Sequence, residues 1–126
     1  FGLIQTPGKR ERVQEYTQVS NSLKRLARAM KIPLLCLAQL NRANEQRSDK
    51  RPTLSDLRET GAAEQDADGV ILLHRPDYYD KDAIPEKEIM PVLVDVTVAK
   101  NRHGPTGKVT LSFYRQTGIF RETYVK

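Results

Sequence analysis

Two cationic side chains lie close together in a segment rich in turn residues, an arrangement that can bind phosphate groups. Lys100 and Arg102 lie in Lys-Asn-Arg-His-Gly-Pro, between two runs that alternate apolar and polar residues. A guanidinium presented from such a turn can neutralise charge that develops on a transferring phosphoryl group. A solvated basic turn is the commoner role of such residues, so this segment alone favours phosphate chemistry only weakly.

A second cluster lies in the run Leu54 to Asp68, where Arg58, Glu59 and Gly61 stand close together. Backbone N–H groups beside a glycine can approach phosphates closely, and an arginine adds a charge-assisted hydrogen bond. Contacts of this kind hold a nucleic-acid strand without reading its bases. On the residues alone, a helix start with a local surface ion pair is the more frequent explanation.

The third candidate is Gln39, which ends the continuous apolar run Leu34 to Leu40. Ligands of open α/β sheets gather at the carboxyl ends of strands, and a glutamine there can both donate and accept hydrogen bonds. It could therefore sense a phosphate and pass the signal to the following loop. A polar residue capped by water is the simpler alternative.

The elements that must position these residues follow from hydrophobic periodicity. A helix is predicted over about residues 11–31, because apolar residues recur at spacings of four, three and four. These residues are Val19, Leu23, Leu26 and Met30. Pro33 should end the helix. The apolar run over residues 34–40 predicts a parallel strand buried on both faces. The polar residues 41–53 predict a mobile basic loop.

The remainder of the chain predicts more strands than helices. A short helix is expected over about residues 54–65, interrupted near Gly61, and a strand over residues 69–74. Alternating valines from Val92 and a second run from Val109 predict a β-hairpin, with a final strand over residues 119–123. The order predicts an α/β sheet whose later strands are antiparallel.

Composition limits the classes of protein further. The 126 residues are 29% charged, and no apolar run approaches the roughly 20 residues that a membrane-spanning helix needs. Net charge is +7 over residues 1–58, −6 over 59–90 and +4 over 91–126, a pattern that favours a polyanionic partner weakly. Cys36 is predicted to be a small buried hydrophobic residue in a reducing, cytoplasmic setting. The two histidines, His74 and His103, are isolated from other metal-ligating residues, so no metal site is predicted.

The run from Leu57 to Asp68 resembles the DNA-contacting segment of replicative helicases of the DnaB family, which reads L-R-E-S-G-x-I-E-Q-D-A-D. Two other segments are similar to motifs of that family: Ala-Gln-Leu-Asn-Arg at 38–42 to S-Q-L-N-R, and the turn at 100–105 to K-Q-R-N-G-P. Ala38 and Thr60 stand where the family has serine, and His103 where asparagine is usual. The resemblance covers nearly the whole chain.

The resemblance implies a RecA-like three-layer sandwich, with parallel core strands followed by an antiparallel C-terminal hairpin. Residues 1–126 correspond to the C-terminal half of that ATPase domain. It also implies a role for each candidate residue. Arg58, Glu59 and Gly61 would contact single-stranded DNA, and Gln39 would couple the nucleotide state to the DNA loop. At the ATP site of the adjacent subunit, Arg102 would be the arginine finger and Lys100 a second cation.

For the intact protein, the resemblance implies ATP and Mg²⁺ as cofactors and a homo-hexamer that translocates 5′ to 3′ on single-stranded DNA. Primase and a helicase loader are the implied protein partners. The chain contains no G-x-x-x-x-G-K-[ST] phosphate loop, and the family's Walker B aspartate would precede Phe1. We therefore expect a fragment whose start, Phe1 to Ile4, is a cut strand, and which alone neither binds cofactors nor hydrolyses ATP.

Two alternatives stay open at this point. One is a related RecA-like ATPase with another task, such as a recombinase or a clock-type ring ATPase. The other is a stand-alone nucleic-acid-binding module, which requires a complete fold within these residues.

Overall fold

One long helix, one short helix and a four-stranded sheet make up the described part of the chain. The computed structural model describes residues 9–40, 46–79 and 91–123. The helices are α1 and α2, with two 3-10 helices, and the strands β1 to β4 pair in sequence order, each antiparallel to the next. The bounds in chain order are α1 Lys9–Met30, a 3-10 helix Leu54–Thr60, α2 Gly61–Asp66, β1 Gly69–His74, a 3-10 helix Pro76–Tyr79, β2 Val92–Asn101, β3 Gly107–Tyr114 and β4 Ile119–Glu122.

The predicted first helix is confirmed, and its end is set before Pro33 by a backbone motif. Lys31 has a left-handed φ of 55°. Its N–H donates to the carbonyl of Arg28 at 3.3 Å, and the next N–H, that of Ile32, donates to Ala27 at 3.1 Å. These are the two hydrogen bonds of a Schellman motif, which satisfies carbonyls at a helix end.

The apolar face predicted for α1 is covered only in part. Val19 and Leu23 are half-buried, whereas Leu26 and Met30 are exposed. Among the described residues, the buried apolar side chains come from the 54–60 helix and from the sheet: Leu57, Leu72, Val92 and Val94. The buried apolar side chains therefore lie in the sheet and in the segment that precedes α2, and that segment contacts α1 and α2.

The predicted short helix with an interruption near Gly61 is confirmed as a 3-10 helix that continues directly into α2. Its start is capped by Asp56, whose Oδ2 accepts the Thr53 N–H at 2.7 Å and the Thr53 hydroxyl at 3.1 Å. In return, the Asp56 N–H donates to the Thr53 carbonyl at 3.0 Å. This reciprocal pairing satisfies N–H groups that a helix start leaves without an intrahelical acceptor.

The predicted hairpin and final strand are confirmed as β2, β3 and β4. The turn between β3 and β4 is closed by N–H groups of Thr117 and Gly118, which both donate to the Tyr114 carbonyl. Gly118 has a φ of 68°, a left-handed conformation that glycine adopts without a Cβ penalty.

The strand predicted over residues 34–40 is wrong for this structure, and so is the burial predicted for Cys36. Residues 32–40 form no regular element, and Leu35 and Leu37 are 86% and 82% exposed. Cys36 is exposed as well. Burial on both faces is what an apolar parallel strand requires, and these side chains are not buried in this structure. The predicted parallel pairs are likewise not found among the described strands.

Some predictions concern residues beyond the described ranges. These are the cut strand Phe1 to Ile4, Asn41 and Arg42 of the glutamine motif, and residues 43–45 of the basic loop. Within the described ranges, no helix is long and apolar enough to cross a membrane.

Candidate functional site

A β-bulge directs Lys100 toward α2. Val70 pairs with Lys100 and Ile71 pairs with Val98, so Ala99 is an extra residue in β2. Side chains alternate along a strand, and the extra residue moves Lys100 to the opposite side of the sheet from Val98. Its ammonium then donates to two carbonyls at the end of α2, those of Glu64 at 2.6 Å and Gln65 at 3.1 Å.

Arg102, the first residue of the hairpin turn, contacts the same stretch of chain. Its N–H donates to the carbonyl of Asp68 at 2.8 Å. Its guanidinium forms an ion pair with Asp68 Oδ1 at 3.0 Å and reaches the Gln65 carbonyl at 3.4 Å. The side chain is still 43% exposed, so Arg102 is held by its own chain yet accessible from outside.

A lysine of α1 completes this arrangement. Lys24 donates to Asp68 Oδ2 at 2.6 Å and to the Asp66 carbonyl at 2.7 Å. One turn earlier, Ser20 donates to Asp66 Oδ2 at 2.7 Å. We call the five charged residues that meet here the hairpin cluster: Lys24, Asp66, Asp68, Lys100 and Arg102.

Electrostatics favour the ionised form of Asp68. The hydrogen bond from Lys24 is the main cause that lowers the pKa of this carboxyl, and the charges of Lys24 and Arg102 act in the same direction. Asp68 therefore stays a carboxylate at neutral pH and keeps both cations beside it.

An open groove of about 620 Å³ runs between α1 and the hairpin cluster. Four cations and one carboxylate line it, with polar residues of α1 between them: Lys24, Arg25, Arg28, Arg102 and Asp66. Arg25 and Arg28 form no ion pair among the described residues, and both are exposed. The groove is thus suited to an anionic group, and Arg102 stands at its border.

A second polar group holds the segment before the 3-10 helix against the sheet. Arg47 pairs with Asp56 at 2.6 Å, and Arg51 pairs with Asp95 of β2 at 3.4 Å. Arg47 also donates to the Arg51 carbonyl at 3.1 Å, which links the two pairs. We call these four residues the loop anchor. Residues 46–53 therefore fold onto the body of the chain, contrary to the mobile loop predicted for them.

Both aspartates of the loop anchor are buried, and the pKa values of their carboxyl groups are lowered. Burial opposes their ionisation, but hydrogen bonds outweigh it. For Asp56 these come from Thr53 and Arg47. For Asp95 they come from Thr110 at 2.8 Å and Lys108 at 3.1 Å. Their charged partners offset the cost of burial.

The predicted site residues are distributed over two places. Lys100 and Arg102 meet in the hairpin cluster. Arg58 and Glu59 lie in the 3-10 helix and Gly61 begins α2, so this trio directly precedes the carbonyls that Lys100 and Arg102 bind. Gln39 is exposed in the irregular segment 32–40 and takes no part in the hydrogen bonds of the hairpin cluster.

The roles of Ser20, Lys24, Asp66 and Asp68 do not follow from the sequence patterns described above. Lys24 is one of several polar residues of α1, and Asp66 and Asp68 are named only as residues of the motif at 57–68. The spacing of four between Ser20 and Lys24 places both on one helix face, which is the signal that could have paired them with a common partner. The bulge at Ala99 has no comparable signal.

No group of three or more histidine, cysteine or carboxylate side chains suited to a metal ion occurs in the described ranges. The cations of the hairpin cluster fit an anionic ligand, and Mg²⁺ has no ligand set among these residues.

Comparison with known proteins identifies the family. Residues 1–122 match the family described as DnaB-like helicase C terminal domain. This chain belongs to that family. It is 46% identical over 120 residues to the replicative DNA helicase DnaB of Geobacillus stearothermophilus, and 44% identical over 120 residues to the replicative DNA helicase DnaC of Bacillus subtilis. Each alignment covers 94% of this chain and 25% of the relative.

Solved structures agree with the fold. One of them, described as an ATPase domain, superposes with a TM-score of 0.78 at 45% identity, covering 89% of this chain and 38% of that one. A second structure, titled as a DnaB-like replicative helicase and its interactions with primase, gives a TM-score of 0.74 at 46% identity over 86% of this chain and 25% of its own. The predicted α/β, RecA-like class and the family resemblance are confirmed.

The chain spans about a quarter of the length of the curated relatives it matches. Activity, substrates and partners of a whole helicase are therefore matters for proposal.

Proposed function

We propose that residues 1–126 form the C-terminal half of the ATPase domain of a replicative DNA helicase. The intact protein is an ATP- and Mg²⁺-dependent hexamer that unwinds duplex DNA while moving 5′ to 3′ along one strand. Family membership supports this proposal. The relatives are named replicative helicases, which favours this role over a recombinase or another ring ATPase.

The position of Arg102 carries the mechanistic part of the proposal. Its guanidinium borders a groove that three other cations line, and nearly half of the side chain is accessible. In the hexamer, Arg102 reaches the ATP site of the adjacent subunit and neutralises charge on the transferring phosphoryl group. Such a group contributes about a thousandfold or more to hydrolysis. Lys100 acts as the second cation at the same interface.

The DNA-contacting part of the proposal concerns Arg58, Glu59 and Gly61. They lie where the 3-10 helix passes into α2, and the loop anchor fixes the start of this segment. Backbone N–H groups and the arginine hold phosphates of the single strand, so binding does not depend on sequence. Gln39 couples the nucleotide state to this segment.

No residue of this chain is assigned to Mg²⁺ binding or to a phosphate loop. We therefore expect the chain alone to be inactive. When bound, the nucleotide supplies the phosphoryl group that is transferred to water. Primase and a loader are proposed as partners of the intact helicase. One solved relative is titled with its primase interactions.

The test is Arg102→Ala in the full-length protein, with Arg115→Ala as the matched control. Arg115 lies in the turn between β3 and β4 of the same sheet, away from the groove. We expect Arg102→Ala to form hexamers and bind single-stranded DNA while DNA-stimulated ATP hydrolysis falls about a thousandfold or more. Arg115→Ala should hydrolyse ATP at the unmodified rate.

Normal hydrolysis in intact Arg102→Ala rings would contradict the finger assignment. Mixed hexamers sharpen the test. When Arg102→Ala subunits are combined with subunits that carry a phosphate-loop mutation, some interfaces join an intact phosphate loop to an intact Arg102. Hydrolysis is restored at these interfaces only if Arg102 acts on the neighbouring subunit. Absence of such complementation would also count against a role across the interface.

A further inference from the structure

Asp68 connects three elements that lie far apart in the sequence. Its Oδ1 pairs with Arg102 of the hairpin at 3.0 Å, and its Oδ2 pairs with Lys24 of α1 at 2.6 Å. Its carbonyl accepts the Arg102 N–H at 2.8 Å. A single residue thus holds both the backbone and the side chain of Arg102.

Asp68 follows α2 by only two residues. The last carbonyls of α2 bind the side chains of Lys100 and Arg102. Because α2 has six residues and continues directly from the 3-10 helix, a displacement of the segment at 58–61 would shift these carbonyls relative to Arg102, whose backbone stays hydrogen-bonded to Asp68. Arg102 then loses or gains its contacts as the proposed DNA-contacting segment moves.

The strength of the contact suits a reversible role. The side chains of Asp68 and Arg102 are 53% and 43% exposed, and ion pairs between exposed groups contribute little to stability. An incoming phosphate can therefore compete with Asp68 for the N–H groups of the guanidinium. Lys24 keeps Asp68 in place when Arg102 leaves.

We propose that Asp68 is a positioning residue for Arg102, and that it keeps the guanidinium over the end of α2 until the DNA-contacting segment moves. The ligand that competes with Asp68 is the terminal phosphate of the nucleotide bound by the adjacent subunit. DNA binding in one subunit thereby regulates hydrolysis in its neighbour. The inference rests on the proposed function of Arg102.

Asp68→Asn in the full-length protein tests this inference. The amide carries no charge, so the ion pair with the Arg102 side chain is replaced by a weaker hydrogen bond whether or not DNA is bound. We expect ATP hydrolysis without DNA to rise and the ratio of DNA-stimulated to basal rates to fall about fivefold or more, the usual scale of coupling between sites. Asp68→Glu keeps the charge and should restore most of the ratio.

The matched control is Asp49→Asn, which removes an exposed carboxylate 3.7 Å from Arg51. It should leave the ratio unchanged. Hexamer size and the Kd for single-stranded DNA are measured for every variant, so that loss of assembly is separated from loss of coupling.

Two results would overturn the inference. One is an unchanged ratio in Asp68→Asn, and the other is an equal fall of both rates, which indicates a purely structural role. Arg102→Ala in the same assay separates the two proposals. If Arg102→Ala hydrolyses ATP normally, the finger assignment fails; if only Asp68→Asn behaves as the unmodified protein, the positioning role fails alone.

Discussion

The loop anchor and the hairpin cluster lie at opposite ends of the segment 54–66, and they differ in burial. The side chains of the loop-anchor aspartates, Asp56 and Asp95, are 6% and 9% exposed. In the hairpin cluster the side chain of Asp68 is 53% exposed. Both groups consist of arginine or lysine with aspartate, so the difference lies in the environment and not in the chemistry.

The comparison separates two uses of ion pairs. A buried carboxylate that loses its partners is costly, so the loop anchor fixes the start of the segment to the sheet. Exposed pairs exchange with water and other anions at little cost. The hairpin cluster therefore suits the end of the segment, where the proposed mechanism needs Arg102 to change partners.

The largest effect on stability is expected for Asp56→Ala. This change removes the acceptor of two Thr53 hydrogen bonds and of the Arg47 ion pair. We expect the free energy of unfolding to fall by about 2 kcal/mol, from the lost cap and the lost charged hydrogen bond. Urea denaturation measures this, with Asp49→Ala as an exposed control within about 0.5 kcal/mol. Equal effects of the two changes would remove the distinction between the two regions.

A smaller effect is expected from pH and involves His74, which faces Asp95 across the sheet. Burial lowers the pKa of His74, and the Arg51 charge acts in the same direction. The unfolded chain therefore binds the proton more readily, and stability falls as pH drops below about 6.5. Asp56 and Asp95, whose pKa values are lowered, add a further loss only below about pH 4.

The measurement is the free energy of unfolding between about pH 7.5 and pH 3, an interval that spans both reference pKa values. His74→Gln should abolish the upper phase and keep the lower one. An upper phase that persists in His74→Gln would assign it to another group.

The smallest effect on stability is expected for Asp68→Ala. Because the side chain of Asp68 is itself 53% exposed, we expect Tm to change by less than about 2 °C, whereas we expect the coupling between DNA and ATP hydrolysis to be lost. Differential scanning calorimetry measures the shift. A loss of stability as large as that of Asp56→Ala would show that the hairpin cluster is a structural element like the loop anchor.

Local sequence signals predicted most elements correctly. The spacing of apolar residues in α1, the alternation in β2 and β3 and the turn residues near Gly118 each act over a few neighbours, so they can be recognised directly. The segment 34–40 shows the limit of such signals. Its apolar side chains favour a strand buried on both faces, but the segment forms no regular element and Leu35 and Leu37 are exposed, because burial is decided by the surrounding structure and not by the segment itself.

The positions of the candidate residues, but not their roles, are given by the structure. Lys100 and Arg102 were proposed from their composition and family motif, and both side chains contact carbonyls at one end of α2; their roles stay predictions. Their partners could not be found in this way. Lys24 and Asp68 are 44 residues apart, and Lys100 and Glu64 are 36 apart, so only the folded chain brings them within hydrogen-bond distance.

The sequence by itself determined the family, the class of fold and the residues that we propose as phosphate contacts, because motifs and periodicity are local properties of the chain. The tertiary structure alone decided where the cations point. One extra residue at Ala99 moves Lys100 across the sheet, and the position of Asp68 beside the hairpin sets the partner of Arg102. Both depend on strand register and on packing between distant elements, which side-chain composition does not specify.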